Sequence, residues 1–209
     1  MVEYYWLLLL GAFIAGAIPF GWLVARVFFR ADIRSLGSGN IGMANVWRNF
    51  GAAAGLATLI LDVAKGFAPV FIARYVLSVP FYAESTQTAL LLSGVALLAI
   101  FGHTFTPFLN FRGGKGIATG LGVMLALLGV YALIPLGVFV IVFALFRIVS
   151  LGSLTAAIGL LAATALLSAI SAYLYLAIAA TVLIFFTHRE NIARLVKGTE
   201  PRLELKRRA

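Results

Sequence analysis

The sequence predicts an all-α fold: a polytopic membrane helix bundle of about seven transmembrane helices. The composition is the first observation, since 63% of the 209 residues are hydrophobic and only 11% are charged. A soluble domain carries roughly 25% charged residues. A chain this apolar cannot cover itself with polar surface in water, so its solvent is lipid.

Apolar runs along the whole chain are the second observation. In lipid an open strand leaves its backbone polar groups unpaired, so each run is interpreted as a helix. Several runs are shorter than the ~20 residues of a perpendicular span, which favours tilted, short or partly re-entrant helices. Without a repeat or linker, we predict a single domain over residues 1–209. The runs lie at about 4–29, 52–77, 87–102, 117–131, 133–147, 151–168 and 172–187.

The placement of charge is the third observation. With seven spans, fourteen of the sixteen basic residues fall on one side, and the positive-inside rule makes that side cytoplasmic. The N-terminus is then outside and the C-terminus cytoplasmic, with Glu3, Glu84 and Arg74 on the outer side. The fourteen are Arg26, Arg30, Arg34, Arg48, Arg112, Lys115, Arg147, Arg189, Arg194, Lys197, Arg202, Lys206, Arg207 and Arg208.

Several functional classes are disfavoured at this point. The net charge of +9 lies between apolar runs and in the tail, as in membrane proteins, so nucleic-acid binding is not indicated. Cysteine is absent and there are two histidines, too few for most metal sites. Residues 37–42 read G-x-G-x-x-G, but they follow a membrane helix rather than a strand, which disfavours a dinucleotide site.

Three polar clusters fall on the predicted cytoplasmic side. We call them the first cluster (residues 37–51), the second cluster (102–119) and the third cluster (187–200). In the second, Gly113, Gly114, Lys115 and Gly116 suit a phosphate, because small residues expose backbone N–H groups and a helix from Ile117 adds its positive end. The alternative is a tight turn, with Gly116 and Gly120 as a packing face.

The other two clusters are also ambiguous. Ser38 and Asn40 offer short polar side chains, while Asn45 and Arg48 share a helix face and Arg48 can grip phosphate bidentately. The alternative is a capped interfacial helix.

In the third cluster, His188 and Asn191 share a face and Arg194 lies about 120° around from His188. A histidine at a membrane boundary is more often a snorkelling residue than a base. We expect His103 to be structural. Asp62 and Lys65, three residues apart inside a span, predict a buried ion pair, with support of an active site as the second interpretation.

The three clusters resemble the signature motifs of the acyl-phosphate-dependent glycerol-3-phosphate acyltransferases, the bacterial PlsY family. The likeness covers nearly the whole chain, although Ala44 stands where Thr is common and Thr187 where Arg often precedes the His. The matching residues are G-S-G-N-x-G-x-x-N-x-x-R at 37–48, Gly102-His103 with F-x-G-G-K-G-x-A-T at 111–119, and H-x-x-N-I-x-R-L-x-x-G-x-E at 188–200.

The resemblance implies transfer of an acyl group from acyl phosphate to the sn-1 hydroxyl of glycerol 3-phosphate, giving lysophosphatidate and phosphate. It implies a bacterial inner membrane protein whose site faces the cytoplasm, with glycerol 3-phosphate, acyl phosphate and membrane lipid as partners. No cofactor, metal, nucleic acid or obligate protein partner is expected. The His-x4-Asp pair of other glycerol-phosphate acyltransferases is absent, since Phe108 and Ala193 stand five residues after the two histidines.

By the same resemblance, Lys115, His188 and Ser38 are the candidate catalytic residues. The base is either His188 or a phosphate oxygen of the donor. A transporter or channel for organic phosphates is the alternative function, although no internal repeat supports it. The implied substrate-binding residues are Ser38, Asn40, Asn45, Arg48, His103, Gly113, Gly114, Lys115, Gly116, His188, Asn191 and Arg194.

Overall fold

The computed structural model describes residues 4–79, 85–167 and 170–204. Over these residues the structure is entirely helical, with no β-strand. Glu3, Glu84, Lys206, Arg207 and Arg208, which entered the orientation argument, lie outside the described residues.

Ten α-helices follow one another through the described residues, and the all-α membrane bundle predicted from the sequence is confirmed. Short 3-10 turns at Ile33–Ser35, Pro107–Leu109 and Gly129–Ala132 lie between them. The helices are α1 (Tyr5–Ala17), α2 (Phe20–Phe29), α3 (Met43–Phe50), α4 (Ala52–Val76), α5 (Thr86–Thr104), α6 (Ile117–Leu128), α7 (Leu133–Phe146), α8 (Val149–Leu167), α9 (Ser171–Thr187) and α10 (Arg189–Val196).

The outer surface of the bundle is apolar, as a lipid-facing surface must be. Phe28 is 74% exposed and Leu166 is 82% exposed. By length and composition, five helical runs of the described chain could cross a membrane, or six if the pair α9 and α10, bent by 63° at His188, counts as one. The prediction of seven spans counts α6 and α7 separately, whereas by these criteria the two helices form one run of 30 residues.

The break between α1 and α2 shows how polar groups are paired inside the bundle. Pro19 has no N–H, so the helix ends and leaves carbonyl oxygens of α1 without intrahelical partners. The Lys65 ammonium donates to the Ile18 carbonyl oxygen at 2.7 Å, and the Thr106 hydroxyl donates to that of Ala17 at 2.6 Å.

Asp62 and Lys65 form the buried ion pair that the sequence predicts. The Lys65 ammonium lies 2.6 Å from a carboxylate oxygen of Asp62, and both side chains are 2% exposed. Because Lys65 also binds the Ile18 carbonyl, α4 is held against the broken first helix. The predicted buried ion pair is confirmed, and Asp62 also lines the cavity described below.

Close helix packing relies chiefly on glycines other than those expected. Gly66 and Gly122 let α4 and α6 approach so closely that a Cβ on either would overlap the backbone of the other helix. Of the two glycines suggested as a packing face, Gly116 lies close to α5, since a Cβ there would be 3.0 Å from an Ile100 side-chain carbon, whereas a Cβ on Gly120 would have only such a carbon at 3.9 Å. Both glycines also line the cavity. The suggested packing face is therefore formed at Gly116 and not at Gly120.

Candidate active site

The three polar clusters meet at one end of the bundle. The Lys115 ammonium of the second cluster donates to the Asn191 side-chain oxygen of the third. The Arg48 guanidinium of the first donates to the carbonyl oxygen of Pro201, just beyond the third, at 3.2 Å. Between them lies a cavity of about 520 Å³. Its polar lining comprises Ser38, Asn40, Asn45, Arg48, Asp62, His103, Lys115, Ser150, Ser153, His188, Asn191, Arg194 and Glu200.

Asn45 organises the loop that carries Ser38. Its amide nitrogen donates to the carbonyl oxygens of Leu36 and Asn40 at 3.0 and 2.9 Å, and its oxygen accepts from the Ser38 N–H at 3.1 Å. Asn40 accepts from the Gly42 N–H at 2.8 Å at the start of α3. The Asn45 amide is thus occupied by protein groups, so it shapes the site rather than offering free donors to a substrate.

The Gly-Gly-Lys-Gly segment is folded back onto the end of α5. The Gly113 and Gly114 N–H groups donate to the carbonyl oxygens of Thr104 and His103, each at 3.0 Å. Neither glycine lines the cavity, and a Cβ on Gly114 would overlap the His103 imidazole. The expectation that both N–H groups face a phosphate is corrected: these residues are glycines because the backbone passes so close to His103.

Lys115 and Gly116 are the part of this segment that faces the cavity. Gly116 has φ +84° and directly precedes α6, whose first N–H groups have no intrahelical acceptor. Burial, the largest cause, lowers the pKa of Lys115 to about 8, and the Arg194 charge adds to this while Glu200 opposes it. Binding of an anionic ligand would therefore stabilise the charged form of Lys115.

The bend between α9 and α10 places the third cluster over the cavity. The His188 Nδ1 lies 2.8 Å from the Ile184 carbonyl oxygen, which can only accept, so Nδ1 donates and Nε2 is left as an acceptor. The Thr187 hydroxyl donates to the Lys115 carbonyl oxygen at 3.2 Å and so ties this bend to the second cluster.

Glu200 is the residue that the sequence reasoning left without a role. Its side chain is 5% exposed and accepts hydrogen bonds from Asn191, Ser150 and Arg194 at 2.5, 2.7 and 2.7 Å. Burial opposes ionisation of Glu200, but these three hydrogen bonds outweigh it and lower the carboxyl pKa. The glutamate thereby orients Asn191, whose oxygen binds Lys115.

An apolar arm continues the cavity away from the polar end. It runs between α6, α7, α8 and α9, and its lining changes from serines near Glu200 to small and then large apolar residues. The residues of this arm are Leu121, Met124, Pro135, Leu136, Phe139, Ala156, Ala157, Leu160, Ala180 and Ile184. A cavity with a cationic head and an apolar tail suits an amphiphile with an anionic head group.

Comparisons with known proteins agree with this geometry. The family model described as glycerol-3-phosphate acyltransferase matches residues 6–198. The chain belongs to the glycerol-3-phosphate acyltransferase family. A glycerol-3-phosphate acyltransferase of Endomicrobium trichonymphae is 40% identical over 193 residues, which cover 92% of each chain.

Two solved structures share the fold of this acyltransferase. One is a crystal structure of PlsY, an integral membrane glycerol 3-phosphate acyltransferase, in its glycerol 3-phosphate form: it is 35% identical, with a TM-score of 0.88 over 97% of this chain and 96% of that one. The lysophosphatidic acid form has a TM-score of 0.85, with 34% identity over 97% of both chains.

The predicted site residues of this acyltransferase can now be placed. All lie around the cavity except Gly113 and Gly114, and Arg194 joins them because the bend at His188 brings α10 over the site. Ser150, Ser153 and Glu200 line it although no site role was expected for them, and Asp62 lines it as the second interpretation of the Asp62–Lys65 pair allowed. Among the described residues, no group of three or more His, Cys, Asp or Glu could hold a metal ion.

Proposed function

We propose that this acyltransferase moves the acyl group of an acyl phosphate to the sn-1 hydroxyl of glycerol 3-phosphate, releasing lysophosphatidate and inorganic phosphate. The observation that carries the proposal is the single cavity that joins a phosphate-binding end to an apolar arm. The PlsY forms with glycerol 3-phosphate and lysophosphatidic acid support the acceptor and the product.

The two substrates present two phosphate groups, and the polar end has the charge to hold both. Lys115, Arg48 and Arg194 supply three cations, and the Glu200 carboxylate faces them and binds Arg194. We assign Lys115 and Arg48 to phosphate binding and Ser38, His188 and Asn191 to the glycerol part. The first N–H groups of α6, which follow Lys115 and Gly116, are positioned to stabilise charge on the acyl oxygen.

The reaction is proposed as a direct transfer. The sn-1 oxygen attacks the acyl carbonyl carbon, a C–O bond forms, and the bond between that carbon and the phosphate oxygen breaks. The hydroxyl proton goes to an oxygen of the departing phosphate, so charge and atoms balance without an enzyme base. His188 fits this version as a positioning residue, because its Nδ1 donates to a backbone carbonyl oxygen rather than to a carboxylate and its Nε2 can accept a hydrogen bond from the hydroxyl.

We further propose seven crossings in a single helical domain, despite the continuous run of α6 and α7. Lys115 precedes α6 and binds Asn191, while the Arg147 carbonyl directly after α7 accepts from the Leu203 N–H at 2.7 Å. Both ends of the run therefore lie at the polar end of the bundle, so residues 117–146 leave that end and return to it. A single crossing cannot do so, whatever its length.

The polar end of the bundle is proposed to face the cytoplasm of a bacterial cell, with the protein in the inner membrane. The fourteen basic residues of the orientation argument support this, because Arg48, Lys115 and Arg194 surround the cavity itself. Glycerol 3-phosphate would enter from the water, while the acyl chain would lie between helices within the bilayer.

An assay of the purified protein tests the donor. We expect lysophosphatidate from acyl phosphate and glycerol 3-phosphate, and little or none from acyl-CoA or acyl carrier protein. The sequence lacks the His-x4-Asp pair of the other glycerol-phosphate acyltransferases, since Phe108 and Ala193 stand five residues after the two histidines. Omission of glycerol 3-phosphate is the control for hydrolysis. Equal turnover with acyl-CoA would contradict the proposal.

A further inference from the structure

The apolar arm is lined by small side chains along its length and by large side chains at its end. Along α8, the residues that face the cavity are Ser150 and Ser153, then Ala156 and Ala157, and finally Leu160. Ser150 belongs to the polar end because its hydroxyl donates to Glu200. Ten residues separate Ser150 from Leu160, so the arm reaches about 15 Å from the polar end.

The neighbouring helices end the arm at the same depth. On α6 the cavity-facing residues run from Gly116 through Gly120 to Met124, about nine residues from Lys115. On α9, Ala180 lies eleven residues before Asn191. Leu160 and Met124 are both buried members of the main core cluster, so they cannot swing into lipid without breaking core contacts.

We infer that Leu160 and Met124 form a stop that limits the length of the acyl chain, while Ala156 keeps the wall open before it. This inference rests on the proposed function, since it needs an acyl chain in the arm. The polar end fixes the phosphate of the donor at Lys115, so the chain cannot slide outward. The donor reaches the arm from the bilayer, whose hydrocarbon is as apolar as the arm, so methylenes that fit change kcat/KM little. The first methylene that meets the stop forces packed side chains apart and lowers kcat/KM.

The test is a profile of kcat/KM against chain length for a series of saturated acyl phosphates. In the wild type, kcat/KM should change little with chain length up to a limit and fall beyond it. In Leu160→Ala that limit should move to longer chains. In Ala156→Leu it should move to shorter ones.

Ile158→Ala is the matched control on the same helix, because Ile158 is 54% exposed and does not line the cavity. Leu160→Val, which removes less volume, replaces Leu160→Ala if thermal unfolding shows that the alanine variant does not fold. An unchanged chain-length limit in both Leu160→Ala and Ala156→Leu would overturn the proposal that Leu160 and Met124 form a stop. A wild type that uses no acyl phosphate at any length would instead overturn the proposed donor, so the two failures are distinguishable.

Discussion

At the scale of single residues, the site depends on buried charged groups whose protonation responds to a bound ligand. Lys115 is held by Asn191, which is oriented in turn by the buried carboxylate of Glu200. An ammonium in this position is costly when the site is empty and is stabilised when a phosphate arrives. Its titration should therefore be visible in the kinetics.

The first residue-scale prediction concerns Lys115. Its pKa is lowered to about 8, so the charged form is retained below that pH and lost above it. We expect kcat/KM for glycerol 3-phosphate to fall as pH rises through about 8, whereas kcat falls only at higher pH, because bound phosphate restores the lysine pKa. Lys115→Ala should lower the rate about a thousandfold or more and remove this pH step.

A Lys115→Arg variant is the control for charge. It keeps a cation at all of these pH values, but its larger planar group fits poorly in this loop, so activity should be low and without the step. A wild-type step near pH 8 that persists in Lys115→Ala would assign the titration to another group.

The second residue-scale prediction separates positioning from base catalysis at His188. If the donor phosphate accepts the proton, His188→Ala should raise KM for glycerol 3-phosphate and largely retain kcat at saturation. If His188 is the base, kcat should fall by about 10²–10⁴-fold. We expect the first result, because the His188 Nδ1 donates to the Ile184 carbonyl oxygen rather than to a carboxylate. Wild-type constants for both substrates would exclude both roles.

At the scale of elements, the site is built where helices stop. The break after α1, the loop before α3 and the segment before α6 each leave backbone groups that hydrogen bonds with other segments of the chain then occupy, and one of these bonds comes from Thr187 at the bend after α9. These bonds fix the positions of the cavity-lining side chains. Some residues of the polar clusters, such as Asn45, therefore affect the substrate indirectly. They hold the backbone segments that carry the cavity-lining side chains.

The element-scale prediction concerns the contact between the second cluster and α5. In Gly114→Ala the new methyl group would overlap the His103 imidazole and push the loop, and with it Lys115, away from Asn191. Overpacking of this kind costs about 1–3 kcal/mol of stability. We expect a loss of activity far larger than the fall in unfolding temperature, measured in detergent for both properties.

Gly137→Ala is the control for this substitution. Gly137 lies within α7, and a Cβ there meets nothing within 4 Å. That variant should keep wild-type activity and gain slightly in helix stability. Full activity in Gly114→Ala would show that the approach of the loop to His103 is not needed for catalysis.

At the scale of the whole molecule, the number of membrane crossings depends on how α6 and α7 are arranged. Their 12 and 14 residues are about 18 and 21 Å long, less than the ~30 Å of a bilayer core. The pair can thus be two short crossings or a re-entrant hairpin, and both return the chain to the polar end. Seven crossings follow only from the first arrangement.

Cysteine labelling distinguishes the two arrangements, and the absence of natural cysteine makes single variants clean. Val130→Cys, in the turn between α6 and α7, should be labelled by an impermeant reagent from outside. Arg112→Cys, at an exposed position of the second cluster, should be labelled only after the cytoplasmic side is opened. Glu84→Cys should be labelled from outside.

Protection of Val130→Cys on both sides would indicate a re-entrant hairpin and five crossings. External labelling of Arg112→Cys would reverse the orientation of the whole site.

The sequence alone determined the solvent, the helical class and the three clusters, because composition and the pairing of backbone groups in lipid are local properties. It also paired Asp62 with Lys65, which are neighbours on one helix. Only the tertiary structure decided which polar groups stay free for a substrate. Asn45 and the Gly113 and Gly114 N–H groups are used by the protein, and Glu200 becomes central, through partners up to 50 residues away. Such pairing depends on which helix ends meet, and no spacing along the chain encodes that.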